Sequence, residues 1–163
     1  MRQRFIFVLL SSFFLVSGKS QSSFSKAELY AAMASEDLGR LNDQINRVQG
    51  NMSLVNRTAY LGALHMKKAG LSGQTSEKLR LFKAGHFQLE SAIKKDPRNP
   101  ELRFLRLMIQ ENSPKILKYH DQLSEDASYL RENYKKLDES ARQALLNYSQ
   151  TSKILPAKDL NDL

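Results

Sequence analysis

Two arginines and three histidines are the residues best equipped for chemistry. Arg103 and Arg106 lie three apart in the run Glu101–Glu111, ELRFLRLMIQE, where Leu102, Phe104, Leu105, Leu107, Met108 and Ile109 leave only Arg103, Arg106 and Gln110 on a polar strip. One turn apart, the two guanidinium forks can clamp a small anion, because each grips a carboxylate or phosphate through two parallel bonds. The simpler alternative is a structural pair with an acid such as Glu101 or Glu90, since a buried unpaired arginine is costly. Either way the polar strip is narrow, so its helix is expected to be the most buried of the fold.

His65, His86 and His120 are the whole histidine supply, and the chain has no cysteine. There is no H-E-x-x-H pattern and no helix face shared by two histidines, so neither a metal nor a cofactor is expected. His86 and Glu90 stand one turn apart, a spacing that allows a metal-supporting pair but reads more simply as an ordinary surface contact, and His120 beside Tyr119 and Asp121 is a minority candidate for catalysis. No nucleophile elbow or Gly-rich phosphate loop is present. A hydrolase whose triad is assembled from distant positions is the minority expectation.

The cations are unevenly spread. Residues 67–118 hold twelve basic and five acidic side chains, whereas residues 21–66 hold four of each and residues 119–163 hold six basic and eight acidic. Lys67, Lys68, Lys78, Arg80, Lys83, Lys94, Lys95 and Arg98 are the candidate basic surface, attractive to an anionic envelope surface. A solvated helical face is the plainer reading of the same residues. No base-stacking platform accompanies them, and nucleic acid is not an expected partner.

The elements that must carry these residues read as all-α. Breakers are few, with Pro only at 97, 100, 114 and 156, and no alternating β-branched run occurs. Ser25 and Glu28 form a capping box opening a helix through Ala34, and Ser35 caps a second bearing Leu38, Leu41, Ile45 and Val48 up to Gly50. A third is expected from about Val55 to Ala69, stopped by Gly70. Thr75 or Ser76 caps a long helix to about Lys95 with Leu79, Phe82, Leu89 and Ile93 on one stripe. Asn99-Pro100 starts the arginine-bearing helix, and Ser113-Pro114 repeats that start for a short helix through Leu123. Ser124 then opens a helix to about Asn133, Asp138 caps a last one ending before Pro156, and residues 157–163 are expected to fray. Hairpin packing is expected either side of Asp96-Pro97.

The start of the chain is of another kind. Arg2 and Arg4 precede FIFVLLSSFFLV at positions 5–16, and small residues follow at Ser17, Gly18 and Ser20. This is the pattern of a signal peptide over residues 1–20, cleaved near Gly18 or Ser20; the apolar run is too short for a bilayer span of roughly 20 residues. The helical domain is then residues 21–156. Losing residues 1–20 removes Arg2, Arg4 and Lys19 and leaves 22 basic and 17 acidic residues, a net charge of +5. A small exported domain without cysteine suits a bacterial periplasm, or secretion from a bacterium, better than a disulfide-forming eukaryotic pathway.

Gly85-x3-Leu89-x2-Ala92-x4-Pro97 resembles the second half of a tetratricopeptide (TPR) repeat, and Leu61-Gly62 resembles the Leu-Gly pair of its first half. Leu89 replaces the usual aromatic and Gly85 the usual alanine, Thr58 and His65 stand where aromatics are usual, and no second copy follows Pro100. The run Tyr60-Leu61-Gly62-Ala63, Ala92-Ile93, Asp96-Pro97, Glu101 to Arg106 and Gln110 is similar to a group of exported bacterial helical proteins. These resemblances imply antiparallel, TPR-like helical hairpins and no particular activity. The expectation is a non-catalytic binding or scaffold module of the bacterial envelope with a protein partner. The first alternative is a peripheral binder of the anionic envelope surface.

Overall fold

The computed structural model describes residues 24–160; the expected signal peptide lies outside the described residues. The described residues form seven α-helices and no strand: α1 (Lys26–Ala34), α2 (Leu38–Gly50), α3 (Arg57–Leu71), α4 (Thr75–Lys95), α5 (Pro100–Asn112), α6 (Leu123–Asn133) and α7 (Glu139–Ser149). The all-α expectation holds, and no described helix is long and apolar enough to cross a membrane.

Local chemistry fixes most helix starts. Asn99 accepts from the Glu101 N–H with Pro100 at the first helical position, and Asp138 accepts from the Ala141 N–H. Other starts differ from expectation. The Ser25 hydroxyl accepts from the Glu28 N–H, but the Glu28 carboxylate does not return the bond; it takes Arg47 at 2.8 Å, because an ion pair competes for it. Asp37 rather than Ser35 caps α2, accepting from the Gly39 and Arg40 N–H groups, while the Ser35 hydroxyl closes α1 on the Ala32 carbonyl. After Ser113-Pro114 only a 3-10 turn forms, Lys115–Leu117, ended by Lys118 at φ 49°.

α3 and α4 form the tightest pair, running antiparallel through a short loop. Their seam is glycine on glycine. A Cβ on Gly62 would sit 2.7 Å from the Gly85 carbonyl oxygen, and one on Gly85 would sit 2.6 Å from that of Gly62. Only hydrogen fits there, so the backbones approach where any side chain would force them apart. The expected pairing across Asp96-Pro97 exists between α4 and α5 but is less extensive, and α5 packs most on α6.

The odd-numbered helices begin at one end of the fold, and one carboxylate gathers their starts. Glu101 Oε1 accepts the hydroxyls of Tyr30 (3.0 Å) and Tyr60 (2.8 Å), and its Oε2 accepts Lys26 Nζ (2.8 Å) and Asn56 Nδ2 (3.0 Å). Lys26 also pairs with Asp138, the cap of α7. First turns of α1, α3, α5 and α7 thus share one acidic cluster, whose charge complements the positive ends of their dipoles. Burial first, then the nearby Glu101 charge, holds the Tyr30 and Tyr60 phenols above their ordinary pKa, so both stay donors.

The core runs around α5, whose Leu102, Phe104, Leu105, Leu107 and Ile109 are buried. Met108 is only half-buried, because the far side of that turn meets solvent and not a helix after Pro114. On α4 the buried line is Leu81, Gly85, Leu89 and Ile93, while Leu79 is exposed. The expected fraying of the tail is corrected over its described part: residues 157–160 close in a 3-10 turn, Leu160 is buried, and Arg131 bonds Asp159 at 2.7 and 3.0 Å.

Candidate binding surface

Both sequence-predicted arginines are brought together, and on carboxylates. Asp126 of α6 is wholly buried and takes Arg106 Nε at 2.6 Å, Arg106 Nη2 at 2.8 Å and Arg103 Nη1 at 3.0 Å. Arg106 Nη1 reaches Glu90 at 3.0 Å. Arg103 continues to Glu125 (2.8 Å) and the Pro97 carbonyl (3.0 Å), with its guanidinium 4.3 Å from the centre of the Tyr129 ring. Burial alone would lower the Arg106 pKa, but the Asp126 bonds and charge, with Glu90, more than reverse this, and it stays a cation. Of the two acids foreseen, Glu90 is a partner and Glu101 is not. Asp126 was missed because it lies twenty residues away, and its one sequence signal was an acid in the first turn of a helix.

Glu90 leads outward. Its Oε1 accepts the Tyr119 hydroxyl at 2.5 Å. Burial, then Glu90, raises the Tyr119 pKa far above the ordinary phenol value, which keeps the proton on the phenol. The Tyr119 ring stands edge-on to His86 (4.7 Å between centres) and to Phe82 (5.8 Å). Together with Lys83, Leu117 and Lys118 these rings line a shallow cleft of about 220 Å3 between α4 and the 3-10 turn. The cleft has an aromatic floor and cationic banks. Lys118 reaches its bank from a left-handed backbone, a conformation that a lysine adopts only at a cost in energy.

The histidine pairings read from spacing do not form. Glu90 turns to Arg106 and Tyr119 and not to His86. His120 Nε2–H donates to the Ser113 carbonyl at 2.9 Å, and His65 Nδ1 lies 3.0 Å from Gln88 Oε1 across the α3/α4 seam. No group of three His, Asp or Glu placed to hold a metal occurs among the described residues.

The basic zone is divided by the fold. Lys67 is half-buried and Lys68 bonds Asn42 of α2 at 2.7 Å, on the opposite flank of the hairpin. Arg80 is held by both Glu77 oxygens at 2.8 Å, and Lys94, Lys95 and Arg98 are exposed at the end of α4 and in the connector. Lys78 is exposed in the first turn of α4, and Lys83 alone of the eight lines the cleft. In comparisons with known proteins, no family model, curated protein or solved structure matches this chain.

Proposed function

We propose that the chain is a non-catalytic binding or scaffold module, exported by a signal peptide to a bacterial envelope and built on a TPR-like helical hairpin. The observation that carries the hairpin part is the seam between α3 and α4. Gly62 and Gly85, two of the residues behind the resemblance, meet there backbone to backbone. The commitment of the interior polar groups supports a scaffold over a catalyst. Glu101, Asp126 and Glu111 each bind several donors that join separate helices or segments, so their work is to hold the fold. A TPR-like hairpin presents a helical surface to a protein partner.

The test is cross-linking of the exported chain within intact envelopes, followed by reconstitution with the purified candidate. The expected result is a stoichiometric protein partner and an isolated chain whose N-terminus is Lys19 or Gln21. Failure to recover any partner, together with turnover of an ester, amide or glycoside panel by the purified chain, overturns the reading. A second reading, attachment to the anionic envelope surface, is favoured by the two exposed apolar side chains beside the cleft.

A further inference from the structure

We propose that the banks of the α4 cleft dock the protein on an anionic phospholipid surface, with Phe87 and Ile116 entering the interface and lysines holding the headgroups. The proposal rests on the export reading and holds with or without a protein partner. Phe87 is 73% exposed on a helix whose other side is buried, and Ile116 is 87% exposed on a 3-10 turn that buries none of its residues. Neither lines the cleft, but each is the sequence neighbour of a residue that does. Phe87 follows the cleft residue His86 and stands one turn beyond Lys83; Ile116 precedes Leu117 and Lys118 on the facing turn. Met52 and Val55, 78% and 98% exposed, stand elsewhere, in the loop between α2 and α3, with no lysine beside them; what distinguishes Phe87 and Ile116 is the lysines around both.

The surrounding charge selects the occupant. Lys83 and Lys94 lie one and two turns from Phe87 along α4, and Lys115 and Lys118 bracket Ile116. Neither element offers these lysines a competing carboxylate. Glu77 is held by Arg80 and Glu90 by Tyr119 and Arg106, and the segment from Pro114 to Lys118 carries no acid. Cations ringing solvent-exposed aromatic and aliphatic side chains are the pattern of a peripheral lipid-binding surface, where apolar burial and attraction to anionic headgroups add.

The chain has no tryptophan, so Phe87→Trp places a single reporter at the bank. The isolated exported chain, its N-terminus verified by mass spectrometry, is mixed with phosphatidylglycerol–phosphatidylcholine vesicles at low salt. The expected result is co-sedimentation, a blue shift of the tryptophan emission, and loss of both at high salt or with pure phosphatidylcholine. Lys83→Glu with Lys118→Glu should lower partitioning roughly tenfold or more. Phe87→Ala with Ile116→Ala should lower it several-fold with the helical circular-dichroism signal intact. Lys68→Glu, on the far flank, should leave it unchanged. Absence of vesicle binding at low salt, equal binding by the Lys83/Lys118 pair variant, or equal binding by the Phe87/Ile116 variant each overturns the proposal. So does capture by a soluble polyphosphate as strong as by vesicles with no emission shift. A recovered protein partner without vesicle binding leaves the proposed function standing and removes this inference.

Discussion

On α5 the cations Arg103 and Arg106 turn inward and end on Asp126, Glu90 and Glu125; on α4 Lys83 and Lys94 face solvent and form no ion pair among the described residues. The apolar residues follow the same division. Phe104 of α5 is wholly buried, whereas Phe87 of α4 is mostly exposed. A cation taken out of water must be met by a carboxylate of fixed geometry, while one left in water needs none and remains available to an outside anion. The cations of α5 therefore hold the fold together, whereas α4, which buries Leu81, Gly85, Leu89 and Ile93 on one side, keeps Lys83, Lys94 and Phe87 in solvent on the other, and substitutions on the two faces should behave accordingly.

The largest effect is expected where the inward cations converge. Asp126→Ala strips the buried Arg106 guanidinium of two bonds and the partly exposed Arg103 of one, and breaking a buried pair by removing one partner costs about 3–5 kcal/mol. That is a large share of the roughly 5–15 kcal/mol typical of a domain. Chemical denaturation followed by circular dichroism reads it directly. A loss under about 1 kcal/mol would mean that solvent reaches Arg106 after all, and the contrast with α4 would fail.

The α3/α4 seam gives the next largest effect and carries its own control. Gly85→Ala places a methyl against the Gly62 carbonyl oxygen and the Met66 backbone, which cannot give way as a flexible side chain would. Overpacking of this kind costs about 1–3 kcal/mol. Gly70→Ala, in the same hairpin, meets nothing within 4 Å, and should stabilise the chain by up to about 1 kcal/mol by restricting the unfolded state. Equal melting temperatures for the two variants would show that the helices are not in backbone contact.

What could be read from the sequence divides along a physical line. The burial of α5 was legible because apolar residues on almost every side of a helix require neighbours all round. Asn99-Pro100 and Asp138 were legible because their capping bonds are local. Ser113-Pro114 carried the same local signal and misled, since the residues after it supply no apolar stripe to fold against; Ile116 is solvent-exposed. Asp126 as the partner of both arginines, and Glu101 as the acceptor that ties α1 and α3 to the start of α5, depend on contacts between distant residues that spacing does not encode. The cleft was missed for the same reason: Phe82 and Tyr119 lie far apart in the sequence, and Lys118 carries none of the Gly or Asn signal of a left-handed position. The basic zone was a count along the chain. Only the fold shows that Lys68 and Lys83 stand on different flanks.

A smaller effect separates the end of α5 from its start. Glu111 accepts the Tyr148 and Ser152 hydroxyls at 2.6 and 2.7 Å and the Lys153 and Ile154 N–H groups at 2.7 and 3.2 Å, tying the segment after α7 to the core. Burial opposes its ionisation, but those four bonds win and hold its carboxyl below the usual range. A depressed carboxyl pKa adds stability that is complete above the unfolded value, about 4.3, and is lost as pH falls through the folded one. The half-exposed setting limits this to about 1 kcal/mol. Glu111→Gln should therefore lower stability at pH 7 and approach the parent as the pH drops below about 4. A constant difference between the two chains down to about pH 3 would assign the loss to packing instead.

The smallest stability change is the sharpest test of the comparison, because the outward face should be nearly silent. Phe87→Ala removes a ring that is 73% exposed, so little apolar area returns to water, and alanine is the better helix former. Lys83→Ala likewise deletes a cation without an ion pair among the described residues. Each should fall within about 0.5 kcal/mol of the parent, whereas Phe104→Ala, the same truncation on α5, should cost about 3–5 kcal/mol. Thermal melts of the three variants measure this without any ligand. If Phe87→Ala destabilises by more than about 1 kcal/mol, its ring packs against the protein in solution, and α4 has no face to offer. If it melts with the parent, the ring adds little to folding, and this face of α4 is free to meet a surface outside the chain, as the docking proposal requires.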